Sequence, residues 1–495
     1  MWFFILPVLV LLAAAIWIVG RSPRSEPAAA ADVEPLFIKP YLQLGDAPSS
    51  GERQSLEVIW HSRLESGSWT VLFRQIPLHE KLLGPWRTAA PADRSFVQNE
   101  VILGSYRHSA RVEGLTAGAR FEYRLLLDGK DVFQSQATAR MAPGQDFRFV
   151  LFGDLAEGGQ ACRQIAYRSY LEKPDVIVMP GDIVYKRGTA SEYLERYFPV
   201  YNCDVADPAR GAPLIRSTLT LATPGNHDVG MLNVRDVPDL DEHPDLMAYF
   251  LFWSLPGNGP LGSDSKKNVP PLRGAPERKE ALLRAAGWRY PRMANYSFDF
   301  GDTHWLVLDA NAYMDWTDAA LVAWVERDLA ASDAKWKLVC YHQPAFTTDV
   351  QHADEQHMRL LAPVFEKHGV DAVFSGHNHT YERNYPLRFT VVPQKDGSPK
   401  DSRGRVNGTF KFDKSFDGVT VTRPQGVVYI VSGGGGAKLY LGPERRADLA
   451  ALPPYTCKFV DDVHSFTVCD VSQGKLAFRQ VAADGRELDR FVIEK

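Results

Sequence analysis

The sequence predicts a multi-domain chain in which an all-β part is followed by an α/β part. Its 495 residues exceed the usual size of a single domain. Between residues 35 and 142 the apolar residues form short β-rich runs that are separated by turn residues. After Phe147 the apolar runs become nearly continuous and alternate with helix-like segments, a pattern typical of strands that are buried on both faces.

The first 34 residues are expected to precede the folded part. Residues 2–20 form an uncharged apolar run that is about long enough to cross a bilayer as a helix. The run is long for a signal peptide, so within residues 1–20 an uncleaved anchor is favoured slightly over a cleaved signal. Residues 21–34 have the Ala, Pro and Ser content of a linker. Arg21 and Arg24 follow the run, and by the positive-inside rule they would keep the body of the chain cytoplasmic.

Residues 35–142 are predicted to form a seven-stranded β-sandwich without chemistry of its own. Its clearest strands are LEVIW (56–60), WTVLF (69–73) and FEYRLLL (121–127). Phe121, Tyr123 and Leu125 alternate with charged residues, which indicates one buried and one solvated face. The segment 114–125 resembles the end of a fibronectin type III domain, where a tyrosine of the penultimate strand pins a corner.

Residues 147–495 are predicted to form an α/β domain. Its apolar runs read as buried strands at 147–154, 175–182, 219–226, 336–342 and 371–377. Helix-like segments occupy residues 319–332 and 357–369. Because ligands of α/β proteins bind beyond the carboxyl ends of the strands, the residues that follow these runs are the candidates for a site.

Two segments of this part leave alternatives open. Residues 230–293 interrupt the alternation and are rich in Pro, Gly and charge, as in a surface insertion or in a lid beside the site. The segment 426–437 reads as a strand that ends in four glycines. That turn would either cradle a phosphate group or simply be a tight turn near the site.

Charge and cysteine content limit the possible partners. A formal net charge of −4 gives no indication of a nucleic-acid partner, so an anionic substrate has to be attracted by a local site. Five cysteines are too few for a disulfide scaffold, and their odd number leaves at least one free. Cys340 is expected to be a buried thiol. The candidate pairs are Cys457 with Cys469 and Cys162 with Cys203.

Five short blocks, each after an apolar run, carry the functional hypothesis. They are FGDLAEGG (152–159), PGDIVY (180–185), PGNHD (224–228), CYHQP (340–344) and SGHNHTYER (375–383). Two metal ions about 3.5–4 Å apart need a bridging carboxylate and several ligands on each side. Carboxylate, amide, imidazole and phenolate groups suit such ions, so the blocks predict a two-metal phosphoesterase site. The candidate ligands are Asp154, Asp182, Tyr185, Asn226, His342, His377 and His379.

Glycine stands directly before several of these candidates, at positions 153, 181, 225 and 376. Glycine adopts backbone conformations that other residues avoid. Sharp turns from strand to loop are therefore expected at these glycines.

The blocks resemble those of the calcineurin-like metallophosphoesterase superfamily and, more narrowly, those of the purple acid phosphatases. Tyr185, three residues after Asp182, and the motif at 376–383 are similar to that narrower family. The chain departs from its relatives at Ala156, where many members of the superfamily carry His and the narrower family usually carries Gly. The resemblance implies a fibronectin-III-like sandwich followed by a catalytic domain with a two-sheet core flanked by helices.

The resemblance also implies a role for each candidate ligand. One ion would be ferric, the other would be iron, zinc or manganese, and Asp182 would bridge them. The ferric ion would be bound by Asp154, Tyr185 and His379. The second ion would be bound by Asn226, His342 and His377.

Three further histidines lie in or near the blocks. The resemblance implies that His227 and His352 contact the phosphate group and that one of them is the general acid. His357 opens a helix-like segment and is expected to be a packing or surface residue.

The implied function is that of an acid phosphomonoesterase in which a metal-activated water attacks phosphorus. Its partner would be a small phosphate ester, with no nucleic acid, and a membrane contact if residues 2–20 are not cleaved. An extracytoplasmic location is favoured because enzymes of this type usually work there. The alternatives are a phosphodiesterase or pyrophosphatase with the same metals, and a non-enzymatic surface-binding protein with a structural metal site.

Overall fold

The computed structural model describes residues 34–49, 53–63, 65–77, 83–98, 104–260, 267–349, 351–440 and 452–495. The predicted anchor at 1–20 and nearly all of the linker at 21–34 lie outside the described residues. Among the residues that are described, no helix has the length and apolar character needed to span a membrane.

The described part of the N-terminal region contains eight strands in two four-stranded antiparallel sheets, with the orders β1-β2-β6-β5 and β4-β3-β7-β8. The strands are β1 (Ile38–Gln43), β2 (Arg53–Ser62), β3 (Trp69–Ile76), β4 (Arg87–Thr88), β5 (Ala90–Val97), β6 (Ser105–Thr116), β7 (Arg120–Leu127) and β8 (Lys130–Thr138). Phe121, Tyr123 and Leu125 are buried as predicted. The expected number of seven is exceeded because residues 87–97 contribute to both sheets, first as β4 beside β3 and then as β5 beside β6.

Two larger sheets form the core of the second region. Its strands are β9 (Phe147–Leu151), β10 (Val176–Met179), β11 (Asn202–Asp207), β12 (Gly211–Pro213), β13 (Leu219–Ala222), β14 (Tyr296–Phe300), β15 (Thr303–Val307), β16 (Trp336–Cys340), β17 (Ala372–Ser375), β18 (Tyr381–Asn384), β19 (Leu387–Val391), β20 (Gly408–Phe412), β21 (Val428–Ser432), β22 (Thr456–Val460), β23 (Ser465–Val471), β24 (Lys475–Ala482) and β25 (Glu487–Glu494). Within the described residues the sheet orders are β13-β10-β9-β23-β24-β25 and β14-β15-β16-β17-β21-β18-β22. The five predicted strands are confirmed as β9, β10, β13, β16 and β17.

The helices of the described residues are mostly short. They are α1 (Gln160–Leu171), α2 (Ala190–Glu192), α3 (Phe198–Tyr201), α4 (Tyr249–Phe252), α5 (Pro276–Ala286), α6 (Arg289–Arg292), α7 (Ala319–Ala331) and α8 (Ala362–Lys367), with a π-helical turn at Tyr193–Tyr197 and a 3-10 turn at His357–Leu361. The helix predicted at 319–332 is α7, which Asp318 caps by accepting from the Ala320 N–H at 2.8 Å. The helix predicted at 357–369 is divided into the 3-10 turn and α8, because Pro363 lacks the N–H that a continuous helix needs.

Aromatic side chains join the two large sheets. The Phe149 ring of β9 lies 5.1 Å from the Trp305 ring of β15 and 5.9 Å from the Phe374 ring of β17, in edge-on contacts. These side chains are fully buried. Strand β9 runs parallel to β10, as do β13 with β10 and β17 with β16. The carboxyl ends of parallel strands in each sheet therefore share one edge.

The segment 230–293 contains one continuous buried stretch. Residues 245–256 are buried, and the Tyr249 hydroxyl donates to the Ala222 carbonyl at the end of β13 at 2.9 Å. Helix α5 packs against β5 of the N-terminal sheets. Residues 245–256 are therefore interior, and the choice between a surface insertion and a lid stays a prediction for the rest of the segment.

All five cysteines lie in the described residues and all are free thiols. The prediction for Cys340 is confirmed, because it is fully buried on β16. The candidate pairs are wrong. Cys469 lies on β23 and Cys457 on β22, which belong to different sheets. The Cys162 thiol instead donates to the Gly159 carbonyl at 2.9 Å.

Candidate metal centre

The seven candidate ligands lie beyond the carboxyl ends of five parallel strands. Asp154 follows β9, Asp182 and Tyr185 follow β10, Asn226 follows β13, His342 follows β16, and His377 and His379 follow β17. This is the edge at which open α/β sheets bind ligands. The structure therefore brings together side chains that are spread over more than 220 residues of sequence.

The first group of contacts centres on the phenol of Tyr185. Its hydroxyl oxygen lies 3.0 Å from Asp154 Oδ1, 3.1 Å from Asp182 Oδ2 and 3.1 Å from His379 Nε2. Tyr185 is 4% exposed and both carboxylates are buried. One O–H can donate to only one of three acceptors, so oxygen and nitrogen lone pairs converge here without enough protons to satisfy them.

The second group centres on the imidazole of His342. Its Nε2 lies 3.2 Å from Asp182 Oδ2, 3.2 Å from Asn226 Oδ1 and 3.2 Å from His377 Nδ1. Asp182, His342 and His377 are all buried, and their ligand atoms lie within 4.8 Å of one another. Asp182 Oδ2 belongs to both groups, which is the position that a bridging carboxylate requires.

Backbone carbonyls orient three of these side chains. The Nδ1–H of His342 donates to the Pro180 carbonyl at 2.7 Å, and the Nδ1–H of His379 donates to the Lys438 carbonyl at 2.6 Å. In both rings the remaining Nε2 then presents a lone pair to the centre. Asn226 donates from Nδ2 to a main-chain carbonyl at 2.9 Å, which turns its Oδ1 inward.

These donor atoms fit metal cations. The two groups of contacts, around Tyr185 and around His342, consist of carboxylate oxygens, an amide oxygen, imidazole nitrogens and a phenol. Without a cation, the negative charge has to be met by protons. Burial alone would lower the pKa of His342, yet Asp182 raises it to about 9. The pKa of Asp182 is lowered by His342 and His227 although burial opposes this.

At the turns that carry the ligands, glycine is needed more for lack of space than for its backbone flexibility. Asp154, Asp182 and His377 themselves have positive φ angles of 60°, 51° and 70°. A Cβ on Gly225 would lie 2.1 Å from Asp182 Oδ1, and one on Gly376 would lie 2.6 Å from Asp154 Oδ2. Gly181 has φ +85° as expected, whereas at the other two positions glycine is required because a side chain has no room.

The glycine-rich segment after β21 is a tight turn that supports Asp154. The Gly435 N–H donates to the Gly153 carbonyl at 3.0 Å, and the Ala437 N–H donates to the Asp154 carbonyl at 2.9 Å. A Cβ on Gly433 would lie 2.1 Å from the Asn378 carbonyl oxygen. Of the two alternatives, these contacts favour the tight turn.

The two predicted substrate-contacting histidines lie beside the ligand groups. The Nδ1–H of His227 donates to the Lys186 carbonyl at 2.5 Å, and its Nε2 lies 3.8 Å from Asp182 Oδ2. His352 Nδ1 lies 2.9 Å from His377 Nε2, and its own Nε2 is buried without a partner among the described residues. His357 instead donates to the Ala310 carbonyl at 2.5 Å, which confirms a packing role.

Comparison with known proteins agrees with this geometry. Residues 147–381 match the family model of the calcineurin-like phosphoesterases. This part of the chain is therefore similar to the calcineurin-like phosphoesterases. Within them it resembles the purple acid phosphatases, as predicted: purple acid phosphatase 22 of Arabidopsis thaliana is 25% identical over 283 residues, 56% of this chain and 53% of that protein.

Further relatives extend the comparison. An uncharacterized protein of Mycobacterium tuberculosis is 26% identical over 388 residues, which cover 72% of this chain and 62% of that protein. The chain thus spans less than two thirds of these relatives' lengths. Among solved structures, a purple acid phosphatase from yellow lupin shares the fold, with a TM-score of 0.61 at 17% identity over 92% of this chain and 74% of the lupin chain.

Sequence reasoning missed two carboxylates of the phosphoesterase site. Glu355 lies 2.8 Å from His352 Nδ1 and 3.3 Å from His377 Nε2, so it orients both rings. Asp228 accepts from the Gly225 N–H at 2.8 Å and from the Ile183 N–H at 3.0 Å, which ties two ligand loops together. Asp228 follows directly on Asn226 and His227, and this proximity was the one available signal.

The departure at Ala156 has a local explanation. The Ala156 N–H donates to the Ile183 carbonyl at 3.1 Å, and Ala156 forms a parallel bridge with Val184. Its side chain is fully buried. The loop after Asp154 is thereby paired with the residues that lead to Tyr185, and Tyr185 rather than position 156 reaches the centre.

Proposed function

We propose that this phosphoesterase is a two-metal hydrolase of phosphate esters and, more specifically, an acid phosphomonoesterase. The observation that carries the proposal is the sharing of Asp182 Oδ2 between the Tyr185 group and the His342 group. A single bridging carboxylate between two sets of lone pairs is the arrangement that a binuclear centre needs.

We assign a ferric ion to Asp154, Tyr185 and His379, and iron, zinc or manganese to Asn226, His342 and His377, with Asp182 between them. The assignment is supported by the phenol of Tyr185, a hard anionic ligand once deprotonated, which lies on one side only. When bound, the ions would supply Lewis-acid activation of a water molecule and of a phosphate oxygen.

The protein residues then have distinct tasks. Asp182 and the ligands on either side hold the ions at a fixed separation. His227 is proposed as the proton donor to the leaving oxygen, because its Nδ1 is engaged by the Lys186 carbonyl and its Nε2 remains available. His352 is proposed to position His377, because its Nδ1 faces Glu355 and its Nε2 is buried.

Two histidine variants test this division of tasks. A protonated leaving group matters most for alkyl phosphates, whose alkoxides are poor leaving groups. His227→Gln should lower turnover of an alkyl phosphate by about a hundredfold and turnover of p-nitrophenyl phosphate far less. His352→Gln should lower both to a similar extent. An equal loss on both substrates in His227→Gln would remove His227 as the proton donor.

The metal assignment is tested by the visible spectrum of the aerobically purified chain. A violet or pink charge-transfer band is expected, and Tyr185→Phe should abolish it while Tyr170→Phe should not. A colourless protein that contains zinc or manganese would contradict the ferric ion but keep the phosphoesterase site. A protein that takes up no metal at all would instead support the non-enzymatic alternative.

Paired assays with monoester and diester substrates decide the specificity. Preference for the monoester supports the proposal, and preference for a diester or a pyrophosphate supports the alternatives with the same metals.

We also propose a fibronectin-III-like fold for residues 35–142 and a location outside the cytoplasm with a small phosphate ester as substrate. The two four-stranded antiparallel sheets support the first proposal. The second proposal rests on the proposed enzyme type, whose members usually work outside the cytoplasm, and it runs against the topology that Arg21 and Arg24 favour. Digestion of intact producing cells by an external protease should remove the chain, and full protection would contradict the location.

A further inference from the structure

A second polar cavity lies away from the proposed metal centre, between the N-terminal sheets and the segment 254–292. It has a volume of about 320 Å³. Within the described residues, four arginines line it: Arg107, Arg111, Arg289 and Arg292. A volume of this size is at the lower end of small-molecule sites.

The arginine of β6 lines this cavity and carries hydrogen-bond donors that have no partner among the described residues. Arg107 is 1% exposed, and its Nη1 lies 3.4 Å from Asp93 Oδ2. Its Nε and Nη2 have no acceptor among the described residues. The hydroxyl of Ser109, two residues later on the same face of the strand, is likewise buried, lines the cavity and has no partner there. Buried donors of this kind are costly unless an acceptor meets them.

A second buried arginine shares the same carboxylate. Arg289 Nη1 lies 3.2 Å from Asp93 Oδ2, and its other nitrogens donate to the Phe250 and Ala285 carbonyls. Burial and the charge of Arg107 lower the pKa of Arg289 to about 9, so the two guanidinium groups repel each other. Asp93, which is 44% exposed, compensates both charges only in part.

The other carboxylates of the cavity are already engaged. Glu57 accepts from the Ser254 hydroxyl at 2.8 Å and lies 3.6 Å from Arg111. Asp46 accepts from the Gly257 N–H at 3.2 Å. Four guanidinium groups and three carboxylates line the cavity, and the unpartnered donors belong to one of these guanidinium groups, that of Arg107.

We infer that this cavity binds a small oxyanion of the phosphate or carboxylate type through Arg107, with Ser109 as a further donor. The adjacent Nε–H and Nη2–H of a guanidinium form a planar fork that matches two oxygens of one phosphate or carboxylate group. Trp288 provides a flat wall for an organic substituent. The inference does not depend on the proposed catalytic function.

Inorganic phosphate is the probe for the test. Equilibrium dialysis of the full chain against radioactive phosphate, at constant ionic strength set with chloride, measures the bound phosphate. Arg107→Gln should bind phosphate at this site about tenfold more weakly or lose it. Arg120→Gln is the matched control, because Arg120 is exposed and its guanidinium donates to Gln136 at 2.7 Å, away from the residues that line the cavity. Any phosphate bound at the metal centre is bound equally by both variants, so the difference in bound phosphate between them reports on the cavity.

The outcomes decide the inference. Equal phosphate binding by Arg107→Gln and Arg120→Gln would overturn it and leave Arg107 as part of a structural ion pair. If Arg107→Gln does not fold, Ser109→Ala serves in its place. Ser109→Ala should also bind phosphate more weakly than wild type, and phosphate binding equal to that of wild type would contradict the inference. Competition with succinate then distinguishes the two ligand classes. If succinate displaces the radioactive phosphate at a lower concentration than unlabelled phosphate does, the ligand is a carboxylate. If the radioactive phosphate stays bound, the ligand carries a phosphate group.

Discussion

At the scale of single residues, the proposed centre depends on groups that orient the ligands as much as on the ligands. Main-chain carbonyls at Pro180 and Lys438 select the tautomers of His342 and His379. Glu355 does the same for two rings at once, since its two oxygens face His352 and His377. Such outer groups typically change metal affinity or activity by about 10–100-fold when they are removed.

Glu355→Gln is therefore expected to lower phosphatase activity by about tenfold or more with little loss of thermal stability. The amide keeps the shape of the carboxylate but no longer accepts from both rings with a negative charge. Turnover, metal content and melting temperature measure the effect. Glu326→Gln is the control, because Glu326 is exposed and pairs with Lys367 at 2.7 Å. Equal activity in both variants would contradict a positioning role for Glu355.

At the scale of elements, strand-to-loop turns and helix contacts place the site. The turn after β13 passes so close to the turn after β10 that Gly225 admits no side chain. On the outer side of the second sheet, His304 of β15 lies 2.8 Å from Asp299 of β14 and 2.9 Å from Asp328 of α7. The close approach at Gly225 fixes the position of Asp182 in the proposed centre. The contacts of His304 hold α7 on the sheet.

Gly225→Ala is expected to abolish most of the activity and to lower metal content. Its Cβ would lie 2.1 Å from Asp182 Oδ1 and 2.3 Å from the Asp182 backbone nitrogen, so Asp182 has to move. Metal analysis and turnover of an aryl phosphate measure this. Gly474→Ala provides the comparison, because a Cβ there meets nothing within 4 Å. Full activity of Gly225→Ala would show that the Asp182 turn tolerates displacement.

The ion pairs of His304 predict a stability that depends on pH. Burial alone would lower the pKa of His304, but Asp299 and Asp328 raise it from 6.5 to about 9. The folded state thus binds the proton more tightly, and the stabilisation is complete below pH 6.5 and is lost as the pH rises through 9. Its ceiling is about 3 kcal/mol.

His304→Gln should accordingly destabilise the chain at pH 6 and have a much smaller effect at pH 10. Thermal unfolding at the two pH values measures the difference from wild type. His243→Gln, at a partly exposed position in a loop, should show no such pH dependence. A destabilisation of equal size at both pH values would mean that His304 acts through packing alone.

At the scale of the whole molecule, the N-terminal sheets and the phosphoesterase part form one folded unit from Leu36 to Lys495. The predicted corner tyrosine contributes to that unit. The Tyr123 hydroxyl donates to the Arg216 carbonyl at 2.8 Å, 93 residues along the chain, rather than to its own sheet. Tyr41 and Leu42 make similar hydrogen bonds to the Phe252 and Ile215 carbonyls.

Tyr123→Phe should therefore lower the melting temperature of the whole chain. The loss leaves a buried carbonyl without its donor, which costs about 1–3 kcal/mol. Calorimetry of the full chain measures it, with the partly buried Tyr170→Phe as control. A shift confined to part of the unfolding trace would show that the two regions unfold separately.

The sequence by itself determined the fold class and the positions of the seven candidate ligands. Buried strands leave nearly continuous apolar runs in the sequence. The candidate ligands follow these runs within a few residues, as Asp154 follows β9. These signals are local, and they were confirmed as positions in the structure, while the metal-binding roles stay predictions.

The tertiary structure alone decided how remote segments meet. Glu355 reaches His377, Tyr123 reaches Arg216, and Arg289 meets Asp93 across 196 residues of sequence. It also reversed local expectations, since Cys457 and Cys469 lie on strands of different sheets. The physical reason is that local patterns report which face of an element is buried, whereas contacts between elements depend on sheet order and packing, which no local pattern records.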